Sequence, residues 1–365
     1  MPNAEPPLSN GATDLTASIN AAVTVPDWST DPEVQNAQQG QILVAPTTPI
    51  RKDLKSDGRV VWDLSAYDFL FEREDVPETC NPSLWRNAKI NMYAGVFTIV
   101  ENAVYQVRGL DLSNITFLED IHDTKALGQI VVVDPLVSAE CAATALELYY
   151  SVRPRRPIGA VIYTHSHLDH YGGVEGLFQS QSKDGVHFYA PDGFLDHAVD
   201  ENVFAGEAMG RRAEFMYGIV LPRGERGQVD AGLGKATSTG TSGIIGPDKT
   251  IKADPEHPDR PVPQVICNIK FEFQLTPKPM VISSVAAILP PTPGMEVRSW
   301  GKRVGLQQGG QAVLDRVALS AGSRLGAAAA ANRTGPAVPA PPDAGCAGPG
   351  LVPGSGGPAR AGRAA

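Results

Sequence analysis

The chain has 365 residues, 42% of them hydrophobic, and a formal net charge of −9. That length holds one large or two ordinary domains. The charge argues against a nucleic-acid partner, and no apolar run approaches the roughly 20 residues needed to span a bilayer. Four cysteines, Cys80, Cys141, Cys267 and Cys346, are scattered without metal-type spacing. They read as free thiols of a reducing compartment. The N-terminus shows no basic segment followed by an apolar one, so a cytoplasmic location is the default.

Residues 1–26 are small, polar and Pro-containing, and are expected to be a flexible arm. From Asp27 to Phe71 short apolar patches such as Val60-Val61-Trp62 predict a wrap packed on the main domain. Residues 88–135 carry several short strands with turn signals, the last of them Gly128 to Pro135. Ala139 to Val152 has helical spacing. Ile158 to Tyr163 is a short β-branched and aromatic run, read as a buried strand. A helix is expected over Val174–Ser180, a strand over 184–191 and a helix over Asp196–Tyr217. Residues 222–249 read as a Gly-rich loop of the kind that walls a pocket. Val265 to Leu275 alternates like an antiparallel strand.

After Pro277 the patterning stops, acidic residues nearly vanish, and from Ala321 onward Ala, Gly and Pro dominate. Residues 278–365 are therefore expected to be a disordered low-complexity tail. Their change of character suggests a retained intron or a shifted reading frame near Pro277, with a genuine lineage-specific tail as the alternative.

The chemistry concentrates in Thr164-His165-Ser166-His167-Leu168-Asp169-His170-Tyr171-Gly172-Gly173. Imidazole nitrogen and carboxylate oxygen are the usual ligands of Zn²⁺ and similar ions. In an extended segment residues i and i+2 point the same way, so His165 and His167 can reach one ion. Asp169 and His170 follow at a turn and can face a second. Gly172 and Gly173 permit close backbone approach. Asp134, at the end of the preceding strand, either orients a ligand histidine or caps the strand end. Thr241 and Arg211 are candidate donors to a bound anion, with a solvated loop and a helix salt bridge as the plain alternatives. Phe204, Met209, Met216 and Tyr217 could line an apolar trough or belong to the core. His187, His197 and His257 read as structural or exposed.

The motif after its strand, His-x-His-x-Asp-His, resembles the metallo-β-lactamase superfamily. Asn81-Pro82-Ser83-Leu84-Trp85-Arg86, Tyr105 to Asn114, Glu201-Asn202-Val203-Phe204-Ala205-Gly206, Ala208-Met209-Gly210-Arg211-Arg212 and Gly227 to Lys235 resemble the alkyl sulfatases of that superfamily, collinearly from about Asp27 to about Pro277. The resemblance implies an α/β fold: an incomplete αββα sandwich over residues 27–277, with an N-terminal extension and a disordered tail. It implies zinc-dependent hydrolysis of alkyl sulfate esters, such as dodecyl sulfate, to alcohol and sulfate by a metal-activated water.

Two Zn²⁺ ions are implied, held first by His165, His167, Asp169 and His170, with hydrolysis depending on Asp169. The family completes its cage with two glutamates and a histidine further on. Thr292-Pro293-Gly294-Met295-Glu296 matches the string carrying the first glutamate, so Glu296 is its counterpart. The second glutamate and the later histidine have none. The family is homodimeric, but its dimerising region is not recognisable here. Two other readings follow: a metal-poor, truncated pseudoenzyme, or a thioester, lactone or phosphoester hydrolase of the same fold.

Overall fold

The computed structural model describes residues 11–52, 58–120, 128–275, 282–288, 303–307 and 312–315. All of them belong to one unit spanning residues 1–319. The N-terminal helices are α1 (Asp14–Ala21) and α2 (Pro32–Gln38), and each begins at a side-chain cap. Thr13 accepts the Thr16 amide and Asp31 accepts the Glu33 amide. The helix α1 lies within residues 1–26, expected from the sequence as a flexible arm. Its cause is local, a Thr13 cap, and Asn20 Nδ2 then ties it to the Glu78 carbonyl at 2.8 Å. The strand β1 (Gln41–Val44) follows, then β2 (Ile50–Arg51) and β3 (Val60–Trp62), which pair as a ribbon. The helix α3 (Pro82–Ile90) has Asn81 as its cap and proline in its first turn.

The main sheet is built from β1, β4 (Gly95–Val100), β5 (Val104–Arg108), β6 (Ile115–Glu119), β7 (Ile130–Val133), β8 (Ile158–Ile162), β9 (His187–Pro191) and β10 (Lys249–Ile251), in that spatial order. The pairs from β1 to β7 are antiparallel. Those from β7 to β10 are parallel. Parallel neighbours need a crossover, and α4 (Ala139–Val152) supplies it between β7 and β8.

Alternation along the central strands sets the layers. Ile130, Val132, Ile158 and Val161 face Cys141, Ala142, Ala145, Leu146 and Tyr149 of α4. Val131, Val133, Ala160 and Ile162 face the opposite way, into Ile266, Ile269, Phe271 and Phe273 of a second sheet. The register slips by one residue at Gly159, where a Cβ would lie 2.5 Å from Cys267 Sγ, so the bulge and its glycine let the two sheets meet. Burying side chains such as Phe271 and Phe273 contributes about 1.5–3 kcal/mol each.

The second sheet is antiparallel: β11 (Val262–Ile266), β12 (Ile269–Leu275), β13 (Ile282–Ile288), β14 (Arg303–Gln307) and β15 (Ala312–Asp315). One correction falls here. The stretch from Val265 to Leu275 is a hairpin, because Cys267 and Asn268 take φ of 48° and 62° and turn the chain. Within 278–365 the described residues are the three strands β13, β14 and β15. Ile282-Ser283-Ser284-Val285-Ala286-Ala287-Ile288 has β-branched residues at both ends and pairs with β12. The rest of 278–365, Glu296 included, lies outside the described residues.

The helix expected over Asp196–Tyr217 is broken into α5 (Phe194–Val199), a π turn (Asp200–Phe204) and α6 (Gly206–Tyr217). No residue of α6 is buried, so Met209 is not core and the apolar spacing along that helix misled. The helix expected at Val174–Ser180 is a 3₁₀ segment, Val174–Phe178. Gly176 sits so close to α4 that a Cβ would fall 2.0 Å from the Ala139 carbonyl oxygen.

One buried ion pair fastens the loop after α6. Lys235 Nζ lies 3.2 Å from Asp230 Oδ2, with side chains 1% and 0% exposed, and donates to the Ala88 carbonyl on α3. Burial outweighs the mutual attraction, pushing Lys235 down to about 8 and Asp230 up.

Candidate metal centre

The histidine-rich segment leaves the C-terminal end of β8, beside the C-terminal end of β7, where α/β sheets commonly place their sites. Asp134 stands at the end of β7 with φ of 56°. Its Oδ1 accepts the Thr164 amide at 2.9 Å. Its Oδ2 accepts the Thr164 hydroxyl and lies 2.8 Å from His170 Nδ1. A strand-end cap alone would not reach across to His170, so the geometry favours the orienting role.

These contacts dictate proton positions. Thr164 Oγ1 spends its one proton on Asp134, so it must accept from His165 Nδ1, 2.9 Å away. His165 Nε2 is then a bare lone pair, and it faces His167 Nδ1 at 2.9 Å. By the same logic His170 donates from Nδ1 to Asp134 and turns Nε2 toward Asp169 Oδ2, 3.2 Å away. The donors thus fall into two pairs, and the His165 and His170 rings lie 4.0 Å apart.

The donor set fits divalent ions. A tetrahedral ion with bonds of about 2.0–2.1 Å separates neighbouring nitrogen ligands by about 3.3 Å. The Asp169–His170 pair is at that spacing, and the His165–His167 pair needs to open by a few tenths of an ångström. Each pair supplies two ligands. Among the described residues no group of three or more His, Cys, Asp or Glu is placed to hold one ion.

Burial and charge tune the cluster. His165 and His170 are 4% and 7% exposed. Burial, then the neighbouring His170, pushes His165 down to about 4. For His170 burial works downward, but the Asp134 and Asp169 carboxylates outweigh it and raise the group to about 10. Burial would raise Asp169, yet His170 beside it holds it down at about 2.

A second layer fixes the loop. Ser113 Oγ donates to the Asp169 carbonyl, and Ile282 N donates to the Thr164 carbonyl at 2.9 Å. Gly172 and Gly173 lie against the 135–138 segment, where a Cβ on Gly173 would be 2.2 Å from the Pro135 oxygen. Asp111 is buried behind that segment. It accepts the Leu112, Val137 and Ser238 amides and the Ser238 hydroxyl, and burial still pushes it up to about 6.

Thr241 is part of this scaffold. Its amide and hydroxyl both go to Glu140, at 2.8 and 2.9 Å, so the hydroxyl is committed away from a substrate. Arg211 is exposed on α6 and pairs with Glu207 one turn back, the plain salt bridge. Met216 and Tyr217 line a cavity of about 380 Å³ with Thr13, Thr79 and Cys80, and its lining includes no residue of the metal loop. His187 pairs with Asp248 and His257 with Asp254, both at the surface. The roles of Thr164, Ser113, Asp111 and Glu140 escaped the sequence reading. The available signal was a polar residue at the edge of an apolar run.

Residues 108–282 match the model of the metallo-β-lactamase superfamily. A divalent metal is the implied cofactor. Within that superfamily the chain is similar to alkylsulfatases. It is 44% identical over 269 residues to a linear primary-alkylsulfatase of Pseudomonas sp., covering 73% of this chain and 38% of that protein. It is 40% identical over 278 residues to an alkyl/aryl-sulfatase of Saccharomyces cerevisiae, covering 76% and 40%. The solved stereoselective inverting sec-alkylsulfatase of Pseudomonas sp. superposes with a TM-score of 0.64 at 38% identity, covering 77% of this chain and 42% of that one. The chain thus spans about two fifths of the length of the relatives it matches.

Proposed function

We propose that this protein hydrolyses alkyl sulfate esters at a di-zinc centre, the first ion on His165 and His167 and the second on Asp169 and His170. The carrying observation is the commitment of the outward nitrogens of His165 and His170 to Thr164 and Asp134, which leaves an inward lone pair on His165 and turns the inward nitrogen of His170 to Asp169, where a bound ion would take the place of its proton. The likeness to alkylsulfatases supports the choice of ester.

When bound, divalent ions supply an acidified water and positive charge against the departing sulfate. The chain's own residues do the rest. Asp134 holds His170 and Thr164 in place, Ser113 anchors the Asp169 backbone, and the 135–138 and 238–243 segments brace the loop. Val203 and Phe204, 71% and 82% exposed, belong to the π turn whose Glu201 faces His167, and offer apolar surface to an alkyl tail.

A second reading is a metal-poor chain without turnover. It is favoured by the absence, among the described residues, of a three-ligand group. Elemental analysis with a sulfate-release assay on dodecyl sulfate separates the two. About two zinc ions per chain and released sulfate are expected. No bound zinc and no turnover from a folded chain would establish the second reading. Release from a phosphate or thioester instead would move the activity to another ester class.

A further inference from the structure

We propose that Glu201 is a positioning residue of the metal centre, holding the His167 ring in the tautomer that leaves its Nδ1 lone pair free for the ion. The inference rests on the metal reading above. Glu201 Oε1 lies 3.7 Å from His167 Nε2, the nitrogen on the far side of the ring from His165.

His167 has two ways to place its proton. With the proton on Nδ1 it donates to the bare Nε2 of His165 across 2.9 Å, and the two ligands satisfy each other. With the proton on Nε2, both lone pairs point into the gap between the rings, where a cation binds. Thr164 makes this choice for His165, and Asp134 makes it for His170. The side-chain hydrogen bonds of Asp134 and Thr164 go to each other, His165 and His170, so the carboxylate that faces His167 Nε2 is that of Glu201. A carboxylate facing Nε2 stabilises Nε2–H and repels a bare Nε2 lone pair. A small rotation of the Glu201 side chain brings the contact within hydrogen-bond reach.

The backbone supports this role. Glu201 lies in the π turn Asp200–Phe204 between α5 and α6. Such a turn inserts a residue and re-aims side chains, and it is common at functional sites. The next side chain, Asn202, reaches the same loop. Its Nδ2 donates to the Tyr171 hydroxyl at 3.0 Å and to the Ala198 carbonyl at 2.8 Å. Two consecutive residues of one turn thus engage the metal loop, one at His167 and one just past His170. An exposed helix would not need either contact for its own stability.

The test uses the full chain as wild type, E201A and E201Q, with zinc affinity measured by chelator competition and His167 tautomer by ¹⁵N NMR of the ring nitrogens. E201A is expected to lose about 10–100-fold in zinc affinity, the usual cost of removing a group that orients a ligand, and to shift His167 toward the Nδ1–H form. E201Q, whose amide oxygen still accepts from Nε2, is expected to regain most of both. Glu201 is partly exposed, so both variants should keep the wild-type fold. An E201A chain that binds zinc like wild type with an unchanged tautomer overturns the assignment, and so does an E201Q chain that falls as far as E201A. A wild-type chain that takes up no zinc overturns the metal reading and this inference together.

Discussion

Asp134 and His170 are joined across 36 residues by a 2.8 Å contact, Oδ2 to Nδ1, made from a backbone in the left-handed region. Asparagine tolerates that conformation, whereas alanine is strained in it by about 1–3 kcal/mol. D134N is therefore expected to fold nearly as well as wild type and to lose about 10–100-fold in zinc affinity. D134A should lose the affinity and also unfold at lower urea. Equal stability of the two variants in urea titrations would count against the backbone argument.

Asp169 offers a cleaner separation of chemistry from fold. Its side chain meets His170, while its backbone carbonyl keeps the Ser113 bond whatever the side chain is. D169A is expected to reduce sulfate release from dodecyl sulfate to background with a Tm within a few degrees of wild type, since no buried scaffold bond is lost. Retained turnover would remove Asp169 from the metal site.

The glycines of the loop are predicted to differ in cost. On Gly173 a Cβ would stand 2.2 Å from the Pro135 oxygen and 2.6 Å from the Ser138 oxygen. G173A should destabilise the protein by about 1–3 kcal/mol, visible as a lowered Tm, with weakened zinc binding alongside. On Gly243 the nearest atom would be 3.6 Å away, and G243A should be close to neutral. Thermal melts of the two variants check this directly.

The Lys235–Asp230 pair predicts both a mutational pattern and a pH dependence. K235M alone leaves a buried carboxylate unpaired and should cost about 3–5 kcal/mol, whereas K235M with D230N should recover most of that. Lys235 has its native pKa at about 8, below its ordinary 10.5. The native state therefore holds fewer protons than the unfolded chain between those values. Its contribution to stability is fully present above 10.5 and is lost as pH falls through about 8. Wild type should gain stability with rising pH across that window relative to the double variant. Parallel urea-derived stabilities would refute it.

The candidate donors were legible because they are contiguous. One strand feeding a six-residue run brings His165, His167, Asp169 and His170 together without help from a distant element. The β7–α4–β8 unit was legible for the same reason, since α4 (Ala139–Val152) carries its buried face in a single periodic stretch. What was hidden depends on pairing across the chain. That Thr241 serves Glu140, and that Glu201 reaches His167, are facts of tertiary contact over 101 and 34 residues that no local pattern announces. The π turn misled for a related reason. Apolar spacing on either side of it matches one long helix, while the register change lies in the backbone.

The split between a contiguous donor run and remote partners bears on how the centre comes into being during folding. The four donors are near one another in any conformation, even before the sheet pairs. Asp134, which orients His170, and Ser113, which anchors the Asp169 backbone, lie 36 and 56 residues earlier. Contacts of such separation form only after loop-closure entropy has been overcome. On the proposed metal reading, a nascent chain would offer loosely held donors first and oriented ones only when β7 and β8 have joined. Grafting the hexapeptide onto another scaffold would transfer the donors without their orientation.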